Sequence, residues 1–264
     1  MRIIVLAKQV PDTRNVGANA MNPNGTINRA ALPTVFNPED LKALEMALRV
    51  KNQMPNTTVT VITMGPPRAE EIIRDARNRG ADDGFVLSDA RFAGSDTLAT
   101  SYALAQAIRS AGDFDLVFCG RQAIDGDTAQ VGPQIAEKLG LPQITYAEAL
   151  ESVSEQEIVI RRRLEQGVET VCAALPVLVT VTSAAPDCRY PHAHRLLRFA
   201  KTPVEVRNAD DVQPDFARLG LAGSPTKVKK VDNVVLAHKD NVHLEPTEDN
   251  LNEMMKNLIN EHII

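Results

Sequence analysis

Residues 118–142 read FCGRQAIDGDTAQVGPQIAEKLGLP. A short apolar run, Phe114 to Cys119, leads into a turn carrying Gly120 and Gly126. Beyond it Val131, Ile135 and Leu139 recur at i, i+4 and i+8, and Gly140 and Pro142 close the segment. That spacing is helical, and the glycine and proline are stop signals. The stretch therefore reads as a buried strand, a glycine-bearing turn and a helix over Thr128 to Leu139. This is half of a βαβ unit.

The same alternation extends upstream. Arg2 to Val10 is an apolar, β-branched run of strand length, and residues 11 to 36 are irregular. Asn37-Pro38-Glu39-Asp40 then opens a helix, with Asn37 as the cap and acids at the positive dipole end. Thr58 to Met64 and Gly84 to Leu87 are further strands, each followed by a helix. The later helix is capped by Ser95 or Asp96 and turns Leu98, Tyr102 and Ala105 inward. These units predict an α/β fold, a doubly wound and mostly parallel Rossmann-like sheet with right-handed crossovers.

Downstream the pattern changes. Two strand-like runs around Glu165-Gln166-Gly167 predict a β-hairpin at about 157–175, and Pro176 to Thr182 predicts a buried strand. Ser183 to about Asp240 shows no period, which suggests chain that wraps another surface. Thr247 caps a helix with a narrow apolar stripe, Leu251, Met254, Met255, Leu258 and Ile259, suited either to the chain's own sheet or to a partner. The expected organisation is an α/β domain over 1–183 and an extended C-terminal arm over 184–264.

Composition narrows function. The 264 residues carry a net charge of −5, which argues against a nucleic-acid binder with a basic stripe. Aromatic residues are only 4%, with no Trp, so ligand stacking on aromatic platforms is disfavoured. Cys119, Cys172 and Cys188 are widely spaced and suggest neither a disulfide framework nor a zinc site. No run approaches transmembrane length, and a cytoplasmic protein without membrane insertion is expected.

In an open parallel sheet ligands bind beyond the carboxyl ends of the strands. The richest such loop is Gly120 to Gly132, where the amides of Thr128 to Val131 form an anion site, Arg121 adds charge and Gln130 a donor. The alternative is a simple capped turn with Asp127 as N-cap. Asp125 and Asp127 are likewise better read as capping residues than as metal ligands. A second loop offers Ser95, Asp96, Thr97 and Thr100 around a helix start. Neither GxxxxGK[ST] nor a strand-linked GxGxxG occurs, and no nucleophile–base pair can be assembled. Any redox or group-transfer chemistry would then be a cofactor's.

VLAKQVPDT (5–13), FNPEDLKALEMALRVK (36–51), ITMGP (62–66), FCGRQAIDGDTAQVGPQIAEKLGLP and RRRLEQGVETVCAALPVLVTVT (161–182) together resemble the β subunit of electron transfer flavoproteins. Gln166 departs from that pattern, which has Gly or an acid there. The resemblance implies a nucleotide pocket lined by Leu6, Asn37, Asp40, Met64 and the stretch Gly120, Arg121, Gln122, Ala123, Asp125, Gly126, Asp127, Thr128, Ala129, Gln130 and Val131. Asp96, Thr97 and Thr100 join that set. It also implies an arm embracing an FAD-binding α subunit. GTINRA (25–30), AGSDTLATS (93–101) and Gly126 look like the bifurcating branch, in which the pocket holds FAD reduced by NADH. Electrons would divide between ferredoxin or flavodoxin and the α-subunit FAD, which serves an acyl-CoA dehydrogenase. The housekeeping branch would hold AMP instead, with electrons passing only through the α-subunit FAD. A regulator of the universal-stress-protein kind is the remaining alternative. Arg189, Tyr190, Leu196 and Leu197 match the family's partner-recognition loop.

Overall fold

Strand β1 (Arg2–Ala7) is the axis of the structure, a computed structural model that describes residues 1–12, 33–226 and 243–263. GTINRA lies outside the described residues. Along β1, Ile3, Val5 and Ala7 join one apolar cluster while Ile4 and Leu6 join another on the opposite face. A strand covered on both sides has no need of polar alternation, which explains its continuous apolar run.

The strand is shorter than Arg2 to Val10. Lys8 interrupts it, because its amide donates to the Asp40 carboxylate at 2.9 Å rather than to a strand neighbour. The next residues, β2 (Gln9–Pro11), leave the sheet and pair antiparallel with β3 (Thr34–Phe36). Helix α1 (Pro38–Gln53) follows, then β4 (Thr58–Met64), α2 (Glu70–Arg79) and β5 (Asp83–Leu87). Helix α3 (Thr97–Ser110), β6 (Leu116–Gly120) and α4 (Val131–Leu139) complete the repeating units. Leu44, Leu48, Ile72 and Ile73 bring α1 and α2 onto one face. Tyr102, Ile108 and Ile135 bring α3 and α4 onto the other.

Strand β7 (Gln143–Val153) has no counterpart in the sequence reading. It pairs with β8 (Glu157–Leu164), which turns into β9 (Gly167–Ala174), and both pairings are antiparallel as expected for the hairpin. Strand β10 (Val177–Val181) returns between β6 and β7. The segment after Ser183, read as without elements, holds α5 (Ala193–Phe199) and β11 (Glu205–Arg207). β11 adds parallel to β5. The nine-stranded sheet runs β11-β5-β4-β1-β6-β10-β7-β8-β9, parallel from β11 through β7.

Met1–Lys229 forms one compact unit and Lys230–Ile264 a second. The first therefore continues past residue 183. The second contains α6 (Glu248–Asn260), whose first turn is capped by Thr247 Oγ1 accepting the Asn250 amide at 3.4 Å. Leu251, Met254, Met255 and Ile259 stand exposed along it. Leu98, expected in the core, is 41% exposed, because it borders a surface groove with Ala217, Arg218 and Pro225 instead of packing on the sheet.

Candidate functional site

From β1 the chain winds outward through β4 and β5, then crosses back to β6 on the other side of β1. The carboxyl ends of β1 and β6 consequently lead away in opposite directions, and a crevice opens between them. The structure has a cleft of about 420 Å³ at this point. Such a volume lies within the usual range for small-molecule sites.

Asn37-Pro38-Glu39-Asp40 builds the cleft from beneath. Asp40 is buried, and its carboxylate accepts the Lys8 amide at 2.9 Å and the Gly120 amide at 2.8 Å. One side chain thus ties the ends of β1 and β6 together. Burial pushes its carboxyl up to about 7 despite those amide donors. Asn37 occupies the cap position of α1 without capping it. Its Nδ2 donates to the Gln122 carbonyl at 2.9 Å, and its Oδ1 accepts the Ile124 amide at 3.2 Å. Glu39 accepts the Gln122 amide at 3.0 Å and the Ser183 amide at 3.2 Å, and pairs with Arg121 at 3.3 Å. Gly120 is required by the close approach: a Cβ there would lie 2.5 Å from Asp40 Oδ1 and 2.8 Å from its backbone nitrogen.

The loop above this clasp is not yet helix. Helix α4 begins at Val131, so the expected start at Thr128 is three residues early. Asp127 and Ala129 adopt left-handed backbone, φ 49° and 52°, which breaks helical progression and prevents Asp127 from acting as N-cap. Non-glycine residues rarely take that conformation, and when they do they concentrate at functional sites. Asp127 instead accepts from Gln122 Nε2 at 2.8 Å, and Asp125 pairs with Lys8 at 2.7 Å. Across the cleft Asp96 does cap α3, and Thr97 Oγ1 donates to Gln130 Oε1 at 2.8 Å. The two helix starts are thereby joined.

The backbone amides of Thr128, Ala129, Gln130 and Val131 have no acceptor among the described residues. They line the cleft. The nearby cations Lys8 and Arg121 are neutralised by Asp125 and Glu39. Anion binding would thus rest mainly on amides and the α4 dipole.

Most of the expected pocket converges here. Leu6, Asp40, Met64, Asp96, Thr97 and Thr100 line the cleft, as do 120–123 and 126–131. Asn37 and Asp125 do not line it and act from behind. Sequence reasoning omitted Lys8, Ile62, Phe92, Leu104 and Cys119, which also line it. Lys8 and Cys119 were accessible from the strand-end rule, but Phe92 and Leu104 carry no local signal. Burial raises the Cys119 thiol well above its ordinary range, leaving it protonated and unreactive.

An electron transfer flavoprotein domain matches residues 24–212. The electron transfer flavoprotein subunit beta of Megasphaera elsdenii is 44% identical over 237 residues, covering 88% of this chain and 87% of the relative. Subunit CarD of the caffeyl-CoA reductase-Etf complex of Acetobacterium woodii is 42% identical, with 86% of each chain covered. The acryloyl-CoA reductase electron transfer subunit gamma of Anaerotignum propionicum is 43% identical, with 87% of each covered. The chain belongs to the electron transfer flavoprotein family, as a β subunit.

In this electron-transfer β subunit the expected partner loop divides in two. Arg189 is engaged within the chain: its guanidinium pairs with Glu45 at 2.8 and 3.1 Å, and its amide reaches the same carboxylate. Tyr190 and Leu197 are 88% and 82% exposed, and Leu196 is 45% exposed. Of the four expected residues, Tyr190, Leu196 and Leu197 present apolar surface outward. No helix among the described residues is long and apolar enough to cross a membrane.

Proposed function

We propose that this β subunit binds FAD in the β1/β6 cleft and takes hydride from NADH. One electron then passes to ferredoxin or flavodoxin, and the other to the FAD of an α subunit serving an acyl-CoA dehydrogenase. The run of unpartnered amides from Thr128 to Val131 carries this reading. They offer donors suited to a diphosphate, and a Cβ at Gly126 would meet no atom within 4 Å, so an anion has room at the backbone. FAD, when bound, supplies both the hydride acceptor and the ability to release electrons singly.

The residues of the chain have positional roles. Asp40 and Asn37 hold the loop that carries the amides, and the Thr97–Gln130 bond sets its distance from α3. Leu6, Ile62, Phe92 and Leu104 provide an apolar wall that excludes water from a ring system. No side-chain base is needed, because hydride transfer requires orientation rather than deprotonation. Tyr190, Leu196 and Leu197 suit a hydrophobic contact with the dehydrogenase, in keeping with the acyl-CoA reductases named for two relatives.

The test is the nucleotide content of the purified αβ heterodimer. Two FAD per heterodimer, with flavin bleaching on addition of NADH, is the expected result. One FAD together with AMP would overturn the bifurcating reading.

A further inference from the structure

The carboxylate of Asp96 is fully subscribed. Oδ1 accepts the amides of Leu98 and Ala99 at 2.9 and 3.0 Å, which caps α3. Oδ2 accepts the amide of Thr226 at 3.1 Å and its hydroxyl at 2.7 Å. An ionised carboxylate has about four acceptor positions, and all are taken. Asp96 nonetheless lines the cleft beside Thr97 and Thr100.

Thr226 ends a segment fastened along the same edge. Ser224 Oγ accepts the Asp96 amide at 2.8 Å and donates to the Gly220 carbonyl at 2.7 Å. In sequence Thr226 stands just before Lys230, where the second compact unit begins. One residue therefore serves the cleft, the α3 cap and the last fastening of residues 220–226.

A ligand hydroxyl that donates to Asp96 must displace one of these four donors. The two helix amides are covalently fixed in the first turn, and losing them would uncap α3. Thr226 is solvent-facing, and its amide and hydroxyl can turn to water instead. We infer that Thr226 and a hydroxyl-bearing nucleotide compete for the Asp96 carboxylate, so that filling the cleft loosens residues 220–226. The inference deepens the proposed function, since it rests on a ribose- or ribityl-bearing ligand in this cleft. Binding linkage then works both ways: whatever removes the Thr226 contact strengthens ligand binding.

The experiment compares the wild-type heterodimer with Thr226→Val, using FAD as the probe. The substitution removes one donor to Oδ2 and leaves the α3 cap and every cleft-lining side chain in place. FAD is expected to bind about five- to tenfold more tightly to the variant. In the wild type, hydrogen exchange at residues 220–226 is expected to speed up when FAD is added. Equal or weaker FAD binding by Thr226→Val overturns the competition, as does exchange that is slowed or unchanged. Wild-type protein that takes up no FAD overturns both this inference and the functional reading beneath it. Loss of the competition alone leaves FAD binding intact, so the two failures are distinct.

Discussion

Asp40 places a carboxylate where little water reaches, between the amides of Lys8 and Gly120. The amides favour its charged form and burial disfavours it, and burial prevails, raising the carboxyl to about 7. Glu39 beside it adds further repulsion in the same direction. A folded-state value above that of the unfolded chain means that the native protein holds the proton more tightly. The contribution of Asp40 to stability is therefore fully present below about pH 4 and is lost as pH rises through 7, on the order of 4 kcal/mol in all. Asp40→Asn removes that titration but turns an amide donor toward one of the two backbone N–H groups. It is expected to destabilise by about 1–3 kcal/mol at pH 5 and by clearly less at pH 8. Urea midpoints at the two pH values check this, and a gap that widens at pH 8 would sink the argument. Asn37 shows how a motif can be legible while its role is not: Asn-Pro at a helix start signals a cap, yet both polar atoms of this side chain serve the loop of β6.

The strand, loop and helix around residues 116–139 form the element that contributes the largest share of the cleft lining. Gly126 lies in its irregular part, lines the cleft and faces open space. Gly126→Val should leave the fold intact, because the added side chain meets no protein atom. It should weaken FAD retention roughly tenfold, or about 1.4 kcal/mol, by crowding the backbone where an anion approaches. Flavin content after gel filtration measures this, and unchanged content would remove the loop from the site. The strand and helix here were readable from apolar spacing, and so was the glycine-bearing loop between them that lines the cleft. The late helix start was not readable, because left-handed Asp127 and Ala129 carry side chains that ordinarily avoid that conformation. Strand β7 escaped for a related reason. Its pairings shift register beside Tyr146, itself at φ 61°, so inward and outward positions do not alternate cleanly. At β11 the whole signal is three residues with no buried apolar side chain, an edge strand held by backbone pairing to β5.

At the scale of the whole molecule, the sheet order places the switch between β1 and β6 and so determines where a ligand can lie. It does not account for the surface beyond Lys230. The α6 stripe repeats at i, i+3, i+4, i+7 and i+8, and four of its five apolar residues are exposed while Leu258 is half-buried. Exposed apolar side chains aligned on one helix face mark an interaction surface, whereas scattered ones do not. We propose that the α subunit covers this stripe. Full burial of one Leu or Met side chain is worth about 1.5–3 kcal/mol, so covering even part of the stripe would contribute several kcal/mol to assembly. Deleting residues 247–264 should therefore raise the dissociation constant of the αβ heterodimer by about a hundredfold or more. The α/β unit ending at Lys229, with its own two-faced core, should keep its thermal transition. Sedimentation across a concentration series, paired with a melting curve, separates the two effects. A truncated chain that still assembles at wild-type concentrations would show that α6 does not carry the interface.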